Sequence, residues 1–120
     1  MRVLICGSRQ WTDRKTIEAF VGLLRPDTTI IEGESAGVDK LAAEAARWCN
    51  LNVEEYPADW KQYGLGAGAI RNQQMIDEGK PDVVVAFALT PITPGTADMI
   101  ACARRVGTPV LLINSFGGSR

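Results

Sequence analysis

The sequence has 120 residues, 46% hydrophobic and 22% charged, with 13 Lys and Arg against 14 Asp and Glu and no histidine. A chain of this length buries roughly two thirds of its unfolded surface and is expected to fold as one domain, residues 1–120. Without imidazole it builds no Ser-His-Asp or Cys-His nucleophile and no His-ligated metal, so any chemistry must run on carboxylates, arginines, hydroxyls, backbone amides or the ligand itself. The net charge of −1 argues against broad nucleic-acid binding, which needs many phosphate contacts. Cys6, Cys49 and Cys102 are odd in number and widely spaced, the pattern of buried free thiols in a reducing cytoplasm rather than a disulfide framework or metal knuckle.

Short apolar runs rich in β-branched residues alternate with helical patterns. The first run, Val3 to Cys6, is too short for a signal-peptide core or a membrane span. A helix follows over Asp13 to Leu24, with Ile17, Phe20, Val21 and Leu24 on one face. Thr29 to Ile31 is the second strand, and Val38 to Cys49 the second helix, with Leu41, Ala42, Ala45, Ala46 and Cys49 aligned. Val53 to Tyr56, Val83 to Phe87 and Val110 to Ile113 complete five strands. Ala67 to Glu78 and Thr96 to Val106 complete four helices, each of these two ended by a glycine, Gly79 and Gly107. The tail Asn114 to Arg120 is expected to be loosely ordered.

This alternation predicts an α/β three-layer Rossmann-like sandwich, with about five parallel strands and helices on both faces. In such sheets the ligand lies beyond the carboxyl ends of the strands. The glycines, small hydroxyls and unusual polar residues gather on that edge: Gly7-Ser8-Arg9-Gln10-Trp11, Gly33-Glu34-Ser35-Ala36-Gly37-Val38-Asp39, Pro57 to Gly68 leading to Arg71-Asn72, and Thr90 to Thr96. The opposite loops are plain. Four helix N-termini facing one edge suit phosphate, which makes a nucleotide the natural ligand.

Arg71 is placed in a helix first turn, where a cation opposes the dipole unless an anion lies nearby. Arg9 is a second phosphate candidate, or a partner for Glu32 or Glu34. Trp11 and Trp60 are candidates for stacking on a base, or for capping the core. Asp39 and Asp98 fall in helix first turns, where an acid is favourable in any protein. Glu32 and Glu34 flank a glycine and are candidates for ribose hydroxyls, a divalent ion or a base.

The runs GSRQWTD, GESAGVDKLAAEAA, PADW, GAGAIRNQQM and GTADMIACARRVGTPV resemble, in order and over the whole chain, the YspA-type branch of the SLOG superfamily, found in bacteria and their phages. The resemblance implies a Rossmann-like fold, distant similarity to the Lonely Guy phosphoribohydrolases and DNA-processing protein A, a nucleotide-type ligand, homo-oligomers and a cytoplasmic setting, that of a host if phage-encoded. Lonely Guy enzymes have an arginine motif resembling Arg71-Asn72 through Met75 and a phosphate-and-ribose motif resembling the stretch ending in Gly95-Thr96. Their essential glutamate falls on Met99, a thioether that moves no proton.

Three readings follow. The first is a module binding a nucleotide or derivative, ADP-ribose-like, NAD-like or a nucleoside monophosphate, through Gly7, Ser8, Arg9, Gly33, Ser35, Gly37, Asp39, Arg71, Asn72, Gly95 and Thr96. The second is a nucleotide N-glycosidase or sugar transferase using Arg71, Asp98 and Glu34. The third is a homo-oligomeric interaction module with Trp48, Trp60 or Phe116 at its interface. No metal, membrane or broad nucleic-acid partner is expected.

Overall fold

The computed structural model describes residues 1–115. Strands β1 (Arg2–Gly7), β2 (Thr29–Glu32), β3 (Asn52–Glu55), β4 (Val83–Leu89) and β5 (Val110–Ser115) form one sheet in the order β3-β2-β1-β4-β5. Every pairing is parallel, with Val3 opposite both Ile30 and Val83 and Val84 opposite Val110. The long helices are α1 (Arg14–Gly22), α2 (Val38–Trp48), α4 (Ala67–Gly79) and α5 (Pro94–Arg105), and a single turn, α3 (Trp60–Tyr63), precedes a 3-10 turn over Gly64–Gly66. The expected Rossmann-like sandwich is the architecture observed.

Strand side chains alternate between faces, so each strand feeds two cores. Val3, Ile5, Ile30, Val85 and Phe87 pack with Ile17 and Val21 of α1 and the alanine face of α2. Leu4, Cys6, Ile31, Val84 and Ala86 pack with Met75 and Ile76 of α4 and Met99, Ile100 and Ala103 of α5. Because β1 and β4 are buried on both faces, their sequences read as unbroken apolar runs. Trp11 belongs to the first core: it is 3% exposed, meets Phe87 edge-on at 5.6 Å between centroids, and donates its Nε1–H to the Asp13 carbonyl at 2.8 Å. It is a core residue and not a stacking surface.

Several boundaries differ from the periodic pattern for local reasons. Helix α5 begins at Pro94, whose ring suits the first helical position, so Asp98 lies in the second turn. Arg71 is likewise the fifth residue of α4, beyond the first turn. Lys80, at φ 46°, ends α4 in the left-handed conformation; Gly79 instead admits close packing, since a Cβ there would stand 3.3 Å from Ile31. Asn114 and Ser115 pair with β4 as part of β5 and are not tail. Phe116 lies outside the described residues. Cys6 and Cys102 are buried free thiols, whereas Cys49 is exposed, because α2 ends there. No described helix is long and apolar enough to cross a membrane.

Phe87 is fully buried between Trp11 and Phe20, ring centroids 5.6 and 5.7 Å away. Phe87→Ala should therefore cost about 3–5 kcal/mol in urea denaturation. Trp48→Ala, at a residue 88% exposed, should change stability by less than about 0.5 kcal/mol.

Candidate functional site

From β1 the chain winds outward through β2 and β3, then returns across the sheet to β4. The loops leaving β1 and β4 therefore diverge, and a cavity of about 520 Å³ opens between them beyond the strand ends.

Two loops are brought together here by the absence of side chains. A Cβ on Gly7 would overlap the Phe87 carbonyl oxygen, which instead accepts the Ser8 N–H at 3.1 Å. Ser8 is buried; its carbonyl accepts the Val38 N–H at 3.2 Å and its Oγ accepts the Gln10 N–H at 3.0 Å. Gly37, at φ 72°, lies so close to Ser8 and Arg9 that a Cβ would overlap their backbone. The N-terminus of α2 is thereby seated on the loop after β1.

Asp39, in the first turn of α2, folds back to accept the N–H groups of Gly33 and Ser35, each at 3.2 Å. Burial pushes its carboxyl up to about 6, against the pull of those hydrogen bonds and of Arg71. Arg71 is 8% exposed; it donates Nη1–H to the Gly33 carbonyl and Nε–H to Asn72 Oδ1 at 3.1 Å. Two of its five N–H donors are thus used, and no described carboxylate lies within ion-pair distance. Burial depresses its pKa despite the nearby charges of Asp39 and Glu32. Gly33 makes this possible, since a Cβ there would overlap the guanidinium.

Asn72 joins α4 to the start of α5, donating Nδ2–H to the Gly95 carbonyl at 3.3 Å and to Asp98 Oδ2 at 2.9 Å. Thr96 is buried, with Thr93 Oγ1 at 3.3 Å from its hydroxyl. No side chain caps the N-terminus of α2, α4 or α5. Helix α1 differs: Asp13 caps it at 3.2 Å and its residues do not line the cavity. Three long-helix N-termini, rather than four, leave their amides without a side-chain cap.

Gly7, Ser8, Arg9, Ser35, Asp39, Arg71, Asn72, Gly95, Thr96 and Asp98 all line this cavity. Gly33 and Glu34 line an adjoining recess of about 300 Å³ that shares Arg9, Ser35, Trp60 and Arg71 with it. Gly37 lines neither, and Glu34 and Asp98 are in different hollows. Met99 is fully buried and forms part of the cavity wall with Cys6 and Met75. Gln10 of the loop after β1, Leu65 of the 3-10 turn, and Gly68 and Ala69 of the first turn of α4 also line it; none is a charged or hydroxyl side chain of the kind that marks a phosphate site in sequence. No described cluster of three or more acidic or thiol side chains could hold a metal ion.

The all-parallel open sheet with a cavity at its switch point defines a Rossmann-like α/β protein. The family described as YAcAr, the YspA, cpYpsA-related SLOG family, matches residues 1–63. The chain is also 34% identical over 122 aligned positions to the Gene 61 protein of Mycobacterium phage D29, covering 92% of this chain and 94% of that protein. The chain belongs to the YspA, cpYpsA-related SLOG family. The X-ray structure of DNA processing protein A (DprA) from Streptococcus pneumoniae superposes with a TM-score of 0.58 at 17% identity. That match covers 92% of this chain but only 58% of the DprA chain, and it shows a shared fold.

Glu32, the last residue of β2, is 1% exposed; Oε1 accepts the Glu34 N–H at 2.6 Å, and Oε2 has no hydrogen-bond partner among the described residues. Burial, with smaller additions from Asp39 and Glu55, pushes its carboxyl up to about 8. A carboxyl raised in the folded state favours folding while protonated, and that contribution is lost as pH climbs from the unfolded value towards 8. Glu32→Gln should therefore gain stability over the parent between about pH 5 and 8, by at most about 1.4 kcal/mol per pH unit. Urea denaturation of both proteins at three pH values checks this, and parallel profiles would refute it.

Proposed function

We propose that the chain binds a nucleotide or nucleotide derivative, a nucleoside monophosphate or an ADP-ribose-like or NAD-like compound, in the cavity at the carboxyl edge of the sheet. The observation that carries this is Arg71: a residue 8% exposed, lining the cavity, with unused guanidinium donors and no carboxylate at ion-pair distance among the described residues. A buried cation with no carboxylate in contact is costly, and an anionic ligand supplies a partner at that distance. The uncapped N-terminus of α5 at Gly95 and Thr96, the Ser8 turn and Arg9 line the same cavity and add donors for phosphate oxygens. Membership of a SLOG family is in keeping with a nucleotide-related role.

Binding is favoured over N-glycoside cleavage by the state of the acids. Asp98 Oδ2 is engaged by Asn72, Glu34 lies outside the main cavity, and the position matching the Lonely Guy glutamate is the fully buried Met99. Asp39 lines the cavity, but its Oδ2 holds two backbone amides.

Calorimetric titration of the protein with AMP, ADP, ADP-ribose and NAD is expected to show one-site binding to at least one of them. Arg71→Gln should weaken that binding roughly ten-fold or more, the worth of a charged hydrogen bond, and Arg71→Lys should restore part of it. Absence of heat across the panel, or unchanged affinity in folded Arg71→Gln protein, would sink the reading.

A further inference from the structure

Every residue from Asp59 to Gly66 is exposed, so α3 and the turn after it contribute nothing to either core. Three of these residues are large hydrophobics, and two of them, Trp60 at 48% exposure and the fully exposed Leu65, line the cavity, whereas Tyr63 does not. Apolar surface in a hollow that Arg9 and Arg71 also line suits a ligand with a charged end and a flat apolar end. Trp60 lines the cavity and the adjoining recess alike, together with Arg9 and Arg71.

The indole is held at its edges and not within a core. Its outer ring edge rests on the first turn of α4, 3.6 Å from where a Cβ of Gly68 would be, and the Arg9 guanidinium carbon lies 5.9 Å from a ring centroid. That cation–π contact is weak at an exposed site, and a planar ring displaces it at little cost. The C-terminal part of the segment is rich in glycine: Gly64 at φ 57°, Gly66 and, just beyond, Gly68, and a Cβ on any of them would meet nothing closer than that indole edge. The backbone there can swing without breaking buried contacts.

We propose that Trp60 is the stacking platform for an aromatic ring of the ligand, and that residues 59–66 form a lid that closes over the ring when it binds. This rests on the nucleotide reading above and adds to it that affinity depends on the base, through Trp60, as well as on phosphate, through Arg71. Closure covers Leu65 and Trp60, which are otherwise left in water.

The test uses the full chain with two probes, AMP and ribose 5-phosphate, which share one 5′-phosphate while the second lacks a base. AMP is expected to bind more tightly than ribose 5-phosphate by roughly 5- to 150-fold, the worth of one base stacked on an aromatic side chain. Trp60→Ala should remove that difference and leave ribose 5-phosphate binding unchanged, while Trp60→Phe keeps most of it. Trp60 belongs to neither buried cluster, so both variants should keep the parental melting temperature. Saturating AMP should also slow tryptic cleavage after Lys61 several-fold, and ribose 5-phosphate should not. Equal affinity for the two probes, failure of both to bind, or an unaltered difference in Trp60→Ala overturns the stacking role; the nucleotide reading falls with it only if ADP, ADP-ribose and NAD give no heat either. Unchanged cleavage after Lys61 at saturating AMP overturns the lid.

Discussion

A guanidinium taken out of water without a carboxylate at contact distance is the constraint around which this edge of the sheet is arranged. Arg71 must have hydrogen-bond acceptors, and a glycine carbonyl and an asparagine oxygen supply two. Those two commitments organise the neighbours. Gly33 must lack a side chain for the guanidinium to fit. Asn72, once turned to offer its oxygen to Arg71, has an amide group to satisfy, and it spends this on Gly95 and Asp98, fixing the start of α5 relative to α4. The loop from Gly33 to Ser35 is pinned from the other side by Asp39. A single buried cation thus connects three helices and the loop after β2.

The opposite wall depends on proximity of main chains. Gly7 and Gly37 allow the turn after β1 to touch both the β4 backbone and the start of α2. Ser8 is enclosed by that arrangement, and its three polar groups are used within it. The rigidity this confers differs from the segment 59–66, which is held by little beyond its own turn and an aspartate cap, with Asp59 accepting from Gln62 at 3.1 Å. A stiff wall of closely packed turns and a loosely held apolar flank share one cavity.

Most of the fold was legible in the sequence, because central parallel strands announce themselves as apolar runs and amphipathic helices fill the intervals. All five strands and the four long helices stand where the pattern put them, within a few residues. The ends moved where local chemistry competes with periodicity: Pro94 started a helix early and Lys80 took a left-handed conformation normally left to glycine. The gathering of site residues on the carboxyl edge was readable from topology alone. What each residue does was not. The sequence offers Trp11 and Trp60 as equals, yet one is sealed against Phe87 and the other lies open. Arg71 stood out for a supposed conflict with the helix dipole, whereas its distinction is burial, and burial depends on Gly33, which is 38 residues away in sequence. Glu32 and Glu34 look alike on either side of a glycine, but the first is enclosed and the second exposed.

The strict alternation of strand side chains has a further consequence. Alternate positions of each strand go to one helical layer and to the other, so below the Arg71 network the two cores meet through the backbone of the sheet. The apolar floor of the cavity wall, formed by Cys6, Met75 and Met99, belongs wholly to the α4 and α5 layer. The layer under α1 and α2 can therefore drift in side-chain volume while the floor keeps its shape, and the floor can be recut for a different ligand without unsettling the larger core.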